Sequence, residues 1–160
     1  IIDIDGTLFN NEHRSHLIPD DRTKAKNWTE FNRACAGDTP IMDNINSVHE
    51  MIGEAGDHYD LVFLTSRGMD AAGETYTQLE PHFGNYRVNL CMRAMGDQSS
   101  VLDYKREFLM SCLLNNHWVR WPNDTYRITF MDDDPEICEM VRDEFPYIDV
   151  IEVSSSDPPI

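Results

Sequence analysis

Two aspartates close to the start of the sequence lie in the pattern Asp3-Ile4-Asp5-Gly6-Thr7. Side chains alternate along a strand, so Asp3 and Asp5 would face one pocket, and Gly6 permits the sharp exit that an active-site loop needs. One carboxylate can attack phosphorus and form an aspartyl-phosphate, while a second can protonate the leaving oxygen and later activate water. We assign the first role to Asp3 and the second to Asp5. A strand that simply enters an Asp-Gly turn is the alternative interpretation.

A run of three aspartates follows the apolar segment Ile128–Met131. Three adjacent like charges repel one another unless a cation or a helix cap compensates them. Mg²⁺ prefers oxygen ligands and commonly links carboxylates to a substrate phosphate. The predicted magnesium ligands are Asp3, the backbone carbonyl of Asp5, and Asp132, with Asp133 either on the ion or one step further out. In the alternative interpretation the last of the three acids caps a helix and the other two are solvated.

Hydroxyl and cationic side chains that suit a phosphate group follow the second apolar segment. Thr65 and Ser66 supply hydroxyls, and Arg67 supplies a planar fork matched to phosphate oxygens. Lys105 lies in a helical pattern, where a single lysine is usually a solvated surface charge. Beside Asp3 and a phosphate, however, a cation must offset the crowded negative charge, and we assign that role to Lys105.

The elements that position these residues follow from short apolar segments that alternate with helical patterns. The predicted strands are Ile1–Ile4, Leu61–Thr65, Val88–Met92, Ile128–Met131 and Val150–Val153. The predicted helices are Ala25–Ala36, Ile41–Ala55, Ala71–Phe83, Leu102–Leu114 and Pro135–Phe145, the last with Asp134 as its N-cap. This alternation predicts an α/β fold with a doubly wound parallel sheet, in which ligands bind at the carboxyl ends of the strands.

Length and composition indicate one soluble domain over residues 1–160, with a small insert at 9–40 and a flexible tail at 154–160. No apolar run approaches the roughly 20 residues of a membrane helix, so we expect a cytoplasmic protein. The formal net charge of -16 disfavours extended contact with duplex nucleic acid. The four cysteines are scattered without a CxxC pair, which favours reduced core thiols; they are Cys35, Cys91, Cys112 and Cys138.

Four segments in order resemble the four motifs of the haloacid dehalogenase (HAD) superfamily of phosphohydrolases: DIDGTLF, LVFLTSR, a lysine at the start of a helix, and ITFMDDD. The resemblance covers essentially the whole chain. It implies a HAD-type sheet with a small helical insert after the first strand, no large cap domain, and Mg²⁺ as the cofactor. The implied roles are those of nucleophile for Asp3, acid/base for Asp5, phosphate ligand for Thr65, charge stabiliser for Lys105, and metal site for Asp132 and Asp133.

Within that superfamily the chain is most similar to the 3′-phosphatase domain of phage-type polynucleotide kinases and their stand-alone bacterial and phage relatives. Arg14, Arg67 and Arg93 occupy the places of three arginines of that group, and the resemblance implies that they bind substrate. Two positions depart from the group. Asp134 replaces an arginine in the fourth motif, and Val101 stands where an acid usually precedes the lysine. Both departures bear on substrate recognition.

Three functions of different classes remain compatible with these residues. The first is removal of a terminal 3′-phosphate from a nucleic acid end, and the second is hydrolysis of a free mononucleotide. The third is a non-catalytic phosphate-binding module, against which the intact Asp3 and Asp5 argue, because binding alone needs neither a nucleophile nor a proton shuttle. The sequence contains no GxxxxGK[ST] segment, so kinase activity is not expected from this chain.

Residues of the insert are the candidates for contact with a base or sugar. They are His13, Arg14, His16 and Trp28. The alternatives are that His13 and His16 are ordinary surface histidines and that Trp28 anchors the insert to the core.

Overall fold

The computed structural model describes residues 1–114 and 127–154, and these form a mixed α/β fold. The α/β class expected from the sequence is therefore confirmed. None of the described helices is both long enough and apolar enough to cross a membrane. The predicted tail at 154–160 lies outside the described residues from residue 155 onward.

Strands and helices follow one another along the chain as short elements. The strands are β1 (Phe9–Asn10), β2 (Thr39–Pro40), β3 (Leu61–Gly68), β4 (Val88–Arg93), β5 (Ile128–Asp132) and β6 (Ile148–Glu152). The α-helices are α1 (Thr29–Arg33), α2 (Met42–Ala55), α3 (Ala72–Phe83), α4 (Val101–Leu114) and α5 (Pro135–Glu144). Short 3-10 segments cover Glu12–Leu17, Ala25–Trp28, Ala34–Gly37 and Met69–Ala71.

The first segment, residues 1–5, lies between two parallel strand pairs, β3–β4 and β5–β6. Ile2 forms parallel bridges to Phe63 on one side and to Met131 on the other. In place of the predicted first strand, this segment forms isolated β-bridges, and the chain turns sharply just after it, at Gly6. The carboxyl ends of these parallel segments meet at one edge, as expected from the sequence.

Alternate side chains of the strands pack into two hydrophobic clusters on opposite sides of this arrangement. Phe63 and Met131 belong to the first cluster, whereas their neighbours Leu64 and Phe130 belong to the second. Helices α2 and α3 contribute buried residues to the first cluster, and α4 and α5 contribute to the second. Neighbouring residues on a strand point to opposite faces, so helices cover both faces of the strands.

The insert differs from its prediction more than the other elements do. The predicted helix Ala25–Ala36 is divided into a five-residue α-helix with 3-10 segments on either side. Side chains bond to nearby carbonyls there and compete with regular helix: the Trp28 indole N–H donates to Arg22 O, and the Thr29 hydroxyl donates to Lys26 O. An antiparallel pair of two-residue strands, β1 and β2, closes the base of the insert. Strands this short leave no periodic pattern in a sequence.

A tight turn after Asp5 brings the chain beside the last aspartates of β5. Gly6 has a φ of 81°, in the region that residues with a Cβ disfavour, and its N–H donates to Phe9 O at 2.9 Å. A Cβ at this position would also lie 2.7 Å from Asp133 Cγ. Gly6 therefore serves both the turn and the close approach of the two acidic segments.

We predict that Gly6→Ala lowers the free energy of unfolding by at least about 1 kcal/mol, because the new Cβ adds backbone strain and meets Asp133. Gly53→Ala is the matched control, since Gly53 lies in α2 with open space where a Cβ would stand, and it should raise stability by about 0.5–1 kcal/mol. Urea titration followed by circular dichroism measures both changes. Equal shifts for the two variants would contradict the assigned role of Gly6.

Candidate active site

Three carboxylates from two separate parts of the sequence meet at the carboxyl edge of the strands. Asp3 lies in the first segment, Asp132 ends β5, and Asp133 follows it; one oxygen of each lies within 4.8 Å of the others. The Lys105 Nζ donates to Asp3 Oδ1 at 2.8 Å and to Asp132 Oδ2 at 2.6 Å. The Thr7 hydroxyl contacts both Asp3 Oδ2, at 3.1 Å, and Asp133 Oδ1, at 3.0 Å. The structure thus brings together most of the predicted nucleophile and metal residues around one lysine.

Burial and mutual repulsion shape the protonation of this acidic cluster. Burial raises the pKa of Asp3 to about 7, even though Lys105 acts in the opposite direction. Burial and the charge of Asp3 raise the pKa of Asp133 to about 6, and burial also raises the pKa of Asp132. For Lys105, burial alone would lower the pKa, but Asp3 and Asp132 outweigh it and raise it. The cluster therefore carries more negative charge than one ammonium comfortably balances.

The donor set suits a hard divalent cation. Asp3, Asp132 and Asp133 offer carboxylate oxygens close enough to share one ion, and Mg²⁺ takes such oxygens in preference to nitrogen or sulfur. A cation would also offset the burial and the repulsion that together raise the pKa values of these three groups. The carboxylate of Asp5 lies outside this cluster. Its expected contribution was the backbone carbonyl, and that contribution stays a prediction.

Asp5 faces two buried arginines. The Arg67 Nε donates to Asp5 Oδ2 at 2.8 Å and its Nη2 donates to Oδ1 at 2.8 Å, while the Arg14 Nη2 also donates to Oδ1. Burial would raise the pKa of Asp5, but Arg67 and Arg14 outweigh burial and hold the pKa well below its usual range. Asp5 is thus an ionised carboxylate in the free protein, whereas an acid that protonates a leaving group must first hold a proton.

Asp38 is a member of this network that was not predicted from the sequence. Its carboxylate accepts from Arg14 Nε and Nη2, both at 2.8 Å, and from the Gln78 amide at 3.0 Å, and it lies 2.8 Å from His13 Nε2. The Arg67 Nη2 approaches the same carboxylate at 3.5 Å. The sequence did indicate that a further acid belongs to this network, because two predicted arginines that face one aspartate leave a positive charge that needs a second acid. The sequence offers many acids, and spacing alone does not select this one.

Arg14 and Arg67 are fixed by further contacts within the protein. Arg14 donates to Phe31 O at 2.7 Å, and its guanidinium lies over the Phe31 ring at 4.2 Å. Arg67 donates to the Thr75 hydroxyl at 3.1 Å and to Gln78 Oε1 at 2.8 Å. Both guanidinium groups are held by partners within the protein, so their predicted role in substrate binding stays a prediction.

The end of β3 is irregular where the predicted phosphate ligands lie. Leu64 pairs with Cys91 and Gly68 pairs with Arg93, so β3 carries two extra residues over this stretch. Thr65, inside the irregularity, is buried, and its hydroxyl accepts from the Arg67 N–H at 3.2 Å. Ser66, beside it, is half-buried. Such irregularities commonly re-aim side chains next to active sites.

The remaining predicted contacts lie further from the acidic cluster. The guanidinium of Arg93 donates to Ser99 O and lies 5.7 Å from the centre of the Tyr104 ring. His16 is exposed, with its ring 3.2 Å from His13 O. Trp28 packs edge-on against Phe31 at 5.4 Å, which is an anchoring contact inside the insert.

Comparison with known proteins bears on the fold. No protein-family model matches the chain, and no curated protein matches it either. Two solved structures are similar: one of the Pnkp1/Rnl/Hen1 RNA repair complex, with a TM-score of 0.63 and 20% identity, and another of the Pnkp1/Rnl/Hen1 complex, with a TM-score of 0.64 and 18% identity. The similarity covers 98% of this chain but only 42% and 46% of the matched chains. At this identity the similarity shows a shared fold, and this chain spans less than half the length of those it matches.

We predict that Asp38→Ala lowers the free energy of unfolding by about 3 kcal/mol or more, because Arg14 and Arg67 would lose a buried counter-charge. Glu152→Ala is the control. It breaks an ion pair with Arg142 in which both side chains are well exposed, and such pairs contribute little. Chemical denaturation of both variants measures the difference. A loss for Asp38→Ala no greater than that for Glu152→Ala would show that the network does not stabilise the fold.

Proposed function

We propose that this chain is a Mg²⁺-dependent phosphomonoesterase with the doubly wound sheet of the HAD type, and that it acts through an aspartyl-phosphate on Asp3. The observation that carries the proposal is the position of Asp3, whose carboxylate contacts Lys105 beside the carboxylates of Asp132 and Asp133. A simple acidic surface would not bury a lysine among its acids. The first of the two solved structures of similar fold adds a connection to RNA repair.

In the first step, an Asp3 oxygen attacks phosphorus and the bond from phosphorus to the ester oxygen breaks. Lys105 holds one Asp3 oxygen at 2.8 Å and so fixes the direction of the carboxylate. Asp3, Asp132 and Asp133 would hold Mg²⁺, which, when bound, offsets the negative charge of the phosphoryl group. The released ester oxygen takes a proton and leaves as an alcohol.

In the second step, water attacks phosphorus and the bond to Asp3 breaks, which releases inorganic phosphate and restores the carboxylate. Asp5 is ionised in the free protein and can accept the proton of that water. Protonation of the leaving oxygen in the first step needs a protonated Asp5. A substrate phosphate close to Arg14 and Arg67 would compete with Asp5 for these cations and make its protonation easier.

A nucleic acid 3′ end is the substrate that we propose. The first of the two similar structures is that of an RNA repair complex, and the resemblance seen in the sequence points to 3′-phosphatases. The second candidate substrate is a free mononucleotide, which the net charge of -16 favours because an acidic protein repels a long polyanion. A non-catalytic phosphate-binding module is the third candidate, and the cost of burying Asp3 beside two further acids argues against it.

We predict that Asp3→Asn reduces hydrolysis at least about a thousandfold, because an amide is a poor nucleophile. Asp143→Asn removes one exposed carboxylate from α5 and should leave the rate unchanged. Release of inorganic phosphate measures both. Undiminished turnover by a folded Asp3→Asn protein would reject the covalent mechanism.

Removal of divalent cations should stop hydrolysis, and adding Mg²⁺ back should restore it. Binding has a second readout, because a cation that binds only the folded state raises the midpoint of thermal unfolding. We expect Mg²⁺ to raise that midpoint for the parent protein and to have a smaller effect on Asp132→Asn, which loses one carboxylate of the cluster. Equal responses of the two proteins to Mg²⁺ would place the ion elsewhere.

The choice of substrate is decided by parallel assays on a 3′-phosphorylated oligonucleotide, a 5′-phosphorylated oligonucleotide, and 3′- and 5′-mononucleotides. We expect the highest kcat/KM for the 3′-phosphorylated oligonucleotide. A higher kcat/KM for the free mononucleotides would favour the second candidate. If no phosphomonoester is hydrolysed in the presence of Mg²⁺, the non-catalytic phosphate-binding module is the candidate that remains.

A further inference from the structure

Two exposed methionines lie just past the carboxyl ends of β3 and β4. Met69 follows Gly68 and is 60% exposed, and Met95 is 39% exposed. A Cβ on Gly68 would lie 3.0 Å from the Met95 sulfur, so the Met95 side chain rests against the residue next to Met69. Isolated exposed apolar residues are common, whereas neighbouring ones on the same edge as a reactive cluster indicate a binding surface.

Polar atoms without hydrogen-bond partners lie beside these methionines. Within the described residues, the Asp70 Oδ1 and the Arg93 Nε are buried and form no hydrogen bond. Asp70 Oδ1 lies 2.6 Å from the position of a Cβ on Gly68, next to the Met95 sulfur, and Arg93 pairs with Gly68 across the two strands. Arg93 is only 8% exposed, and the nearest Asp97 oxygen is 3.5 Å from its Nε. Buried polar groups normally find a hydrogen-bond partner, so the Asp70 Oδ1 can still accept a hydrogen bond, and the Arg93 Nε, held only by this long ion pair, can still donate one.

The distance from the acidic cluster is suitable for a second subsite. Strand β3 lies between the first segment and β4, so the end of β4 is two strand spacings from Asp3, or roughly 10 Å. A phosphoryl group at Asp3 would leave the attached nucleoside to extend across the end of β3 toward β4. The insert contacts this same end of β3, because the Thr29 hydroxyl donates to Asp70 Oδ2 at 2.5 Å.

We propose that Met69 and Met95 form the platform on which the terminal nucleobase of a single-stranded nucleic acid end lies, with Asp70 and Arg93 next to its polar edge. This inference rests on the proposed phosphatase function and names how the substrate end is held. Flexible thioether side chains pack well on the faces of aromatic rings, and they accept any base because every base has such a face. A buried arginine whose Nε–H makes only a long ion pair complements the electronegative atoms of a base or sugar. The occupant is thus a nucleotide rather than an apolar peptide, which would leave both polar atoms without partners.

The test compares two substrates in each protein: a 3′-phosphorylated oligonucleotide and a small alkyl phosphate, which has neither a base nor an aromatic ring. We expect the double variant Met69→Ala/Met95→Ala to lower the ratio of their kcat/KM values roughly tenfold, because contact with a base contributes about 1–3 kcal/mol. Met110→Ala is the matched control, since Met110 is 45% exposed and lies far along α4 from the strand ends. An unchanged ratio in the double variant overturns the platform.

A third substrate, an oligonucleotide with an abasic 3′-terminal nucleotide, checks that the base itself is what the methionines contact. The double substitution should affect hydrolysis of this substrate little, and a loss of roughly tenfold here as well would overturn the assignment to the base. If the parent protein hydrolyses none of the three substrates, the proposed phosphatase function fails. The methionine platform is then tested by the affinity for the oligonucleotide instead of by hydrolysis. In that case fluorescence anisotropy with the 3′-phosphorylated oligonucleotide should give a Kd that rises in the double variant but not in Met110→Ala; equal Kd values would overturn the platform.

Discussion

Compensation of buried charge is the constraint on which this structure depends. Asp3 and Asp132 are removed from water, and Lys105 reaches both of them from α4. Burying an unpaired charge costs far more than a single domain can tolerate, so the first segment, β5 and α4 must meet at one point. The same contact that satisfies the fold also creates a carboxylate next to a cation, which is the arrangement that phosphoryl transfer needs. In the proposed mechanism, stability and chemistry therefore depend on the same three side chains.

The insert takes part in this compensation and is more than a cover over the strands. Arg14 and Asp38 both come from the insert, and they bond to each other and to groups of the central strands: Arg14 to Asp5, and Asp38 to Arg67. Three of these four groups are buried and Asp5 is half-buried, and each has a partner of opposite charge on the other part of the protein. The insert and the strands consequently stabilise one another, and movement of the insert would have to separate largely buried ion pairs.

The sequence predicts the regular elements well because hydrophobic periodicity reports directly on burial. The helices α2 to α5 and the strands β3 to β6 differ from their predicted bounds by a few residues at most. The strand ends also bring Asp3, Asp132 and Asp133 together as expected. The insert was less predictable, because its helix is interrupted by local side-chain bonds and its short strands leave no pattern. The partners of Asp5 show the limit most clearly: spacing places Asp5 at the site but does not reveal that two arginines keep it ionised.

For the proposed function, this arrangement would let a strongly acidic protein act on the end of a polyanion. Three buried cations are paired with acids inside the protein: Arg14 and Arg67 with Asp5 and Asp38, and Lys105 with Asp3 and Asp132. These three cations therefore form no basic track on the surface along which a duplex could lie. A single terminal phosphate needs only local compensation at the acidic cluster, and the adjoining nucleoside needs apolar contact more than charge. If the substrate is the proposed nucleic acid end, the net charge of -16 would repel the long polyanion and leave its end as the part that binds.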